Sequence, residues 1–148
     1  MPRRVDAAGM RKSLILLLGA VLLASMPVLA RTPAPRNAQV YFIWPSEGMA
    51  VGQAFWLRMG LRNMGVAPKG TDIASTGHHH VLIDVDLPAN MNEPIASDRQ
   101  HLHFGAGETE ARIELPPGRH TLQLLLADKD HIPHEPPIYS KKITVTVK

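Results

Sequence analysis

The sequence predicts an all-β fold, an immunoglobulin-like antiparallel β-sandwich of about seven strands preceded by a signal peptide. Three observations lead there. Short apolar or alternating runs recur along residues 39–148, Gly, Pro, Asn and Asp punctuate them at sandwich spacing, and helix periodicity is weak throughout.

Taken in order, the chain opens with Arg3, Arg4, Arg11 and Lys12, followed by an apolar run from Leu14 to Leu23 and by Val28-Leu29-Ala30. A basic region, a short apolar core and a small-x-small site together read as a secretory signal peptide over 1–30, cleaved near Ala30. The apolar run is about half of the roughly twenty residues that a membrane-spanning helix needs. Residues 31–38 carry Pro33 and Pro35 without apolar periodicity and read as a flexible leader, and 39–148 reads as the sandwich domain.

Within that domain the expected strands are 39–44, 54–62, 79–86, 109–115, 120–127 and 139–147, with two shorter ones near 49–51 and 100–104. Pro45-Ser46-Glu47-Gly48 closes the first, Pro116-Pro117-Gly118 makes a tight reversal, and Pro133 with Pro136-Pro137 breaks up the last connection. Alternation assigns faces. His79, Val81, Ile83, Val85 and Leu87 share the core side of one strand, and His78, His80, Leu82, Asp84 and Asp86 share the other. Ala111, Ile113 and Leu115 face inward, as do Tyr139, Ile143, Val145 and Val147; the strand with Leu122, Leu124 and Leu126 also carries Leu125, which marks it as more deeply buried.

Composition narrows the function classes. Four of the sixteen Lys/Arg and one of the thirteen Asp/Glu lie in the first thirty residues, so the formal charge of +3 belongs to the signal segment and twelve of each sign remain. A neutral domain without a basic run lacks the footprint of a nucleic-acid binder. The absence of cysteine excludes disulfides, a lipoprotein anchor, zinc-thiolate sites and blue-copper ligation, leaving nitrogen, oxygen and methionine sulfur as donors. An exported protein of this kind is expected in the periplasm or the extracellular medium, with no stable membrane span once the signal is removed.

All eight histidines fall between His78 and His134. Imidazole is the commonest protein ligand for transition metals, and residues i and i+2 of a strand project to the same side roughly 6.5 Å apart. His78 with His80 and His101 with His103 therefore qualify as metal-ligating pairs, and His131-Ile132-Pro133-His134 can add nitrogens from a proline-stiffened loop, with Asp128 or Asp130 as oxygen ligands or hydrogen-bond acceptors. Immunoglobulin-like strand order places the segments before His78, before Thr109 and after Ala127 at one pole, so these six histidines are expected to converge there. His79 faces the core, and His120, just after the reversal, belongs to the opposite pole.

Sharper motifs fail on spacing. His101, His103 and Glu108 imitate part of a cupin site, but the upstream glycine is missing and Pro116-x-Gly118 with His120 is too near; a copper-oxygenase histidine brace needs an N-terminal His where cleavage would leave Arg31. Met64 and Met91 lie in loops near histidines, where a thioether would suit Cu(I), although packing is the commoner role of methionine.

The linked stretches Gly65-Val66-Ala67-Pro68, Gly77-His78-His79-His80 with Ile83-Asp84, His101-Leu102-His103-Phe104-Gly105, Leu115-Pro116-Pro117-Gly118, His120-Thr121-Leu122-Gln123-Leu124, Asp128 and His131-Ile132-Pro133-His134 resemble the bacterial family called domain of unknown function 4399. The resemblance covers roughly 40–147. It implies an exported small domain whose histidines belong to its characteristic motifs, and it implies no activity.

The expected function is metal binding, with a copper or zinc ion as cofactor and the domain acting as carrier, buffer or sensor; an envelope protein is a further partner class. Imidazole protonation should weaken binding below about pH 6. Two other classes stand beside it. A metal-dependent enzyme needs an open coordination position and a base such as Asp84 or Glu108, and a structural or ligand-binding envelope module would use the imidazoles with Asp84, Asp128 and Asp130 as a hydrogen-bond network.

Overall fold

The computed structural model describes residues 31–148, so the expected signal peptide at 1–30 lies outside the described residues. Alternating sequence becomes nine strands: β1 Gln39–Trp44, β2 Ala50–Val51, β3 Ala54–Arg62, β4 Gly65–Val66, β5 Thr76–Ile83, β6 His101–His103, β7 Glu110–Glu114, β8 Gly118–Ala127 and β9 Ile143–Val147. Among the described residues there is no helix.

The strands form two sheets. One has the order β1-β3-β7; the other runs β2-β9-β8-β5, with β4 and β6 both pairing with β5. This is a sandwich with immunoglobulin-like strand order, in which the central strands of the larger sheet, β5 and β8, are antiparallel and β8 continues to β9. Pairing is antiparallel except at two short edge contacts, β2 with β9 and β4 with β5.

The core lies between the sheets. Phe55, Leu57 and Met59 of β3 and Ile113 of β7 meet Val81 and Ile83 of β5, Leu122, Leu124 and Leu126 of β8, and Val145 and Val147 of β9. Met64 packs against this core, so its thioether fills space there. The outer face of the larger sheet is covered as well: Leu82, Leu125 and Ala127 form a second cluster with Ile95 from the long β5–β6 connection. That cover is why β5 and the second half of β8 are buried on both faces.

Two face assignments are corrected. Val85 and Leu87 pack on the second cluster, not on the main core with Val81, because β5 ends at Ile83 and Asp84 takes a left-handed φ of 57° that breaks the alternation. Tyr139 is 49% exposed, not inward, since β9 starts only at Ile143 and the preceding segment is set by Ser140, whose Oγ accepts the Leu124 N–H and whose carbonyl accepts from the Gln123 side chain. Ile138 supplies the buried apolar group there instead.

The 31–38 leader runs alongside the last connection. Pro33 bridges Glu135, with the Ala34 N–H donating to the Glu135 carbonyl (2.9 Å) and the Glu135 N–H to the Thr32 carbonyl (3.0 Å).

Candidate metal centre

Strand register brings three of the histidines together. His78 lies opposite Ala127 of β8, and two residues on, His80 lies between Leu125 of β8 and His103 of β6, its direct partner on the other side. Period-two geometry turns both β5 rings to the outer face of the sheet, and cross-strand pairing puts the His103 ring beside them. His131 arrives from the loop after β8. There the Asp128 carboxylate accepts the N–H groups of Asp130 and Ile132 (both 3.0 Å), the His131 N–H donates to the Asp128 carbonyl (3.0 Å), and His131 itself takes a φ of 67°. A non-glycine residue in that region is disfavoured by about 1 kcal/mol or more, so the surrounding hydrogen bonds hold the ring in place.

The four rings form one group. Centroid separations run from 4.7 Å for His103–His131 to 6.0 Å for His80–His131, with the other pairs between. The His78 and His80 Nε2 atoms are 3.1 Å apart, and the His103 and His131 Nε2 atoms 3.2 Å apart. One ring nitrogen from each of His78, His80 and His103 lies within 4.8 Å of the others, a spacing that can hold a metal ion. Two nitrogens bound to one tetrahedral zinc at about 2.0–2.1 Å sit about 3.3 Å apart, close to both Nε2 contacts.

The electrostatics favour neutral imidazole. Burial, then His103 and His131 nearby, push His78 down to about 4; burial, then His78, His103 and His131, push His80 down to about 2. His103 is also lowered, by burial first and His131 next. Lone pairs on buried neutral rings are what a cation requires. Among the described residues, Nδ1 of His78 and of His80 has no hydrogen-bond partner, so packing between β8 and β6 orients these rings in place of the usual acceptor behind a ligating histidine.

A family model described as domain of unknown function (DUF4399) matches residues 57–148. The chain belongs to this family. The DUF4399 match starts inside β3 and takes in all eight histidines, a narrower span than the 40–147 read from the motifs. No curated protein and no solved structure matches the chain.

Convergence in this DUF4399 domain is thus four histidines, not six. His101 shares the strand face of His103, but its Nδ1 bonds the Asp98 carboxylate at 2.9 Å, and the same carboxylate caps the N–H groups of Gln100 and His101. His134 is fully buried on the other face of β5: its Cε1 would lie 2.8 Å from a Cβ on Gly77, which shares the core side with His79 and Val81, and its Nε2 bonds the Thr76 carbonyl at 3.0 Å. His79 is buried on that core side, as expected, with Nδ1 3.2 Å from the Glu108 carbonyl. His120 sits at the opposite pole, also as expected, between Asp84 Oδ2 (2.7 Å) and the Pro116 carbonyl (3.0 Å).

Of the carboxylates expected to partner imidazoles, Asp84 does bond one, His120, at the pole opposite the cluster, while Asp130 pairs with Lys129 and Asp128 organises its own turn. Two supports escaped the sequence reading. A Cβ on Gly105 would overlap the His103 ring, so this glycine keeps the space that the imidazole fills, and the Thr32 hydroxyl donates to Asp128 Oδ2 at 2.5 Å. His-Phe-Gly at 103–105 is a visible motif, but only the fold shows that the glycine faces the ring.

Proposed function

We propose that this domain is an exported transition-metal-binding module, a carrier, buffer or sensor for copper or zinc, and that His78, His80, His103 and His131 hold the ion. The observation that carries this reading is that His78 and His80, both fully buried, and His103 each offer a ring nitrogen within 4.8 Å of the others, with His131 Nε2 3.2 Å from that of His103, and that among the described residues no carboxylate is hydrogen-bonded to any of the four rings. An all-nitrogen donor set suits Zn(II) and Cu(II) and offers nothing to a hard cation such as Mg(II). His78 and His80 are buried while His103 and His131 are only partly buried, so the ion would approach from the side of His103 and His131. The signal-like segment at 1–30 supports the reading of an exported protein.

The same Nε2 contacts also fit a second reading, a metal-free pair of imidazole hydrogen bonds that ties β5, β6 and the 128–132 loop together. Calorimetric titration of chelator-treated protein separates the two. The metal reading expects one Zn(II) or Cu(II) per chain at micromolar affinity or tighter, and no binding of Cu(II), Cu(I), Zn(II) or Ni(II) at micromolar protein overturns it.

A further inference from the structure

The centre has two unlike halves. His78, His80 and His103 are fixed by the ladders of β5 with β8 and β6, whereas His131 hangs on a turn built around one carboxylate. Asp128 is 5% exposed; its Oδ1 takes the N–H groups of Asp130 and Ile132, and its Oδ2 takes the Thr32 hydroxyl. The strap that carries Thr32 is tied down on both sides of it. Arg31 Nε donates to the Pro133 carbonyl (3.0 Å), its guanidinium also reaches the His134 carbonyl and the Glu135 carboxylate, and Pro33 bridges Glu135.

We propose that residues 31–34 are a latch on the metal centre, with Thr32 as a positioning residue that acts through Asp128 to hold His131 as the fourth imidazole. This rests on reading the cluster as a metal site. With the latch closed the ion has four nitrogen ligands; with it open, a buried carboxylate oxygen loses its donor, the turn relaxes from its left-handed residue, and a three-imidazole site with an open position remains. Three ligands on rigid strands and one on a latched loop is an arrangement that keeps an ion and can also pass it on. The Ile95 N–H to the His131 carbonyl (2.8 Å) and the Gly70 N–H to the Lys129 carbonyl (3.0 Å) anchor the loop from its other sides, so opening the latch frees the ring without unfolding the loop.

The test uses the full chain and its Thr32→Val and Thr32→Ser variants, loaded with Co(II) for its visible spectrum and with Zn(II) for release to a competing chelator. Thr32→Val keeps the shape and removes the donor. It is expected to bind one Co(II) with a spectrum changed from that of the wild type, to release Zn(II) at least about tenfold faster, as loss of a hydrogen bond to a charged group implies, and to exchange the Asp130 and Ile132 amides faster. Thr32→Ser is expected to restore all three. A Thr32→Val variant with wild-type spectrum and release rate overturns the latch and leaves the metal centre standing, while a wild-type chain that binds neither ion overturns both.

Discussion

At one end of β5, His78 and His80 are buried together with their Nε2 atoms 3.1 Å apart, and burial and neighbouring imidazoles drive both well below the ordinary imidazole range. Just past its other end, Asp84 faces His120, for which burial opposes the proton but the Asp84 carboxylate and the Pro116 carbonyl together outweigh it and raise the ring's affinity. Both His120 nitrogens face oxygen acceptors, an arrangement that only the doubly protonated ring satisfies. The same residue type therefore does opposite work at the two poles. A carboxylate in contact makes histidine a charged clamp, and its absence leaves a neutral donor ready for a cation.

The largest effect that separates the poles is on metal affinity. His80→Ala is expected to weaken Zn(II) or Cu(II) binding by more than about a hundredfold, beyond the 10–100-fold typical of losing a ligand's supporting partner, while His120→Ala leaves it unchanged; competition titration of both variants checks this. An equal loss in the two would dissolve the distinction.

Next comes pH. Unfolded imidazoles take up protons near 6.5 and folded His78 only near 4, so the depressed group adds stability that is fully present above 6.5 and lost as pH falls through 4. Metal-free protein should lose roughly 2 kcal/mol between about pH 7 and pH 5 on this account, in denaturant melts, and saturating Zn(II) should recover much of it. The same shift moves the expected loss of metal binding well below the pH 6 anticipated from unperturbed imidazole. His120 has the opposite sign. Its contribution is present below 6.5 and disappears as pH rises through its raised folded value, so Asp84→Asn should destabilise by under about 1 kcal/mol at pH 5.5 and still less at pH 9.

Gly105→Ala sharpens the metal pole from the side of packing. The added methyl overlaps the His103 ring, so one ligand is displaced while the sandwich persists: metal affinity should fall about 10–100-fold with little change in the metal-free melting temperature, read by titration and calorimetry. The smallest effect is expected at His101, which is turned to Asp98. His101→Ala should change metal affinity by less than about threefold, in line with an exposed pair of little energetic weight.

The sandwich was legible because period-two alternation and turn residues are local signals. Gln39–Trp44 and Ala54–Arg62 form as their patterns predict, and β6 appears where a short strand was expected near 100–104. What alternation cannot carry is a break in itself. Asp84 at positive φ redirects Val85 and Leu87, and the two-residue β4 has no pattern to detect. In the site, the i, i+2 rule paired His78 with His80 correctly because both sit within one long strand. It failed for His101 because Asp98, three residues earlier, competes for that ring, a signal present in the sequence but read only as loop. Nothing local tells that His131 reaches the cluster while His134, three residues later, crosses to the other face of β5, or that Thr32 of the proline-containing leader bonds Asp128 in the loop after β8.

X-ray absorption at the zinc edge, on protein loaded with one equivalent and desalted, tests the metal centre most directly. One retained zinc per chain is expected, with a shell of four imidazole nitrogens at about 2.0–2.1 Å. Protein that retains no zinc, or a shell with fewer than three imidazoles, would contradict it.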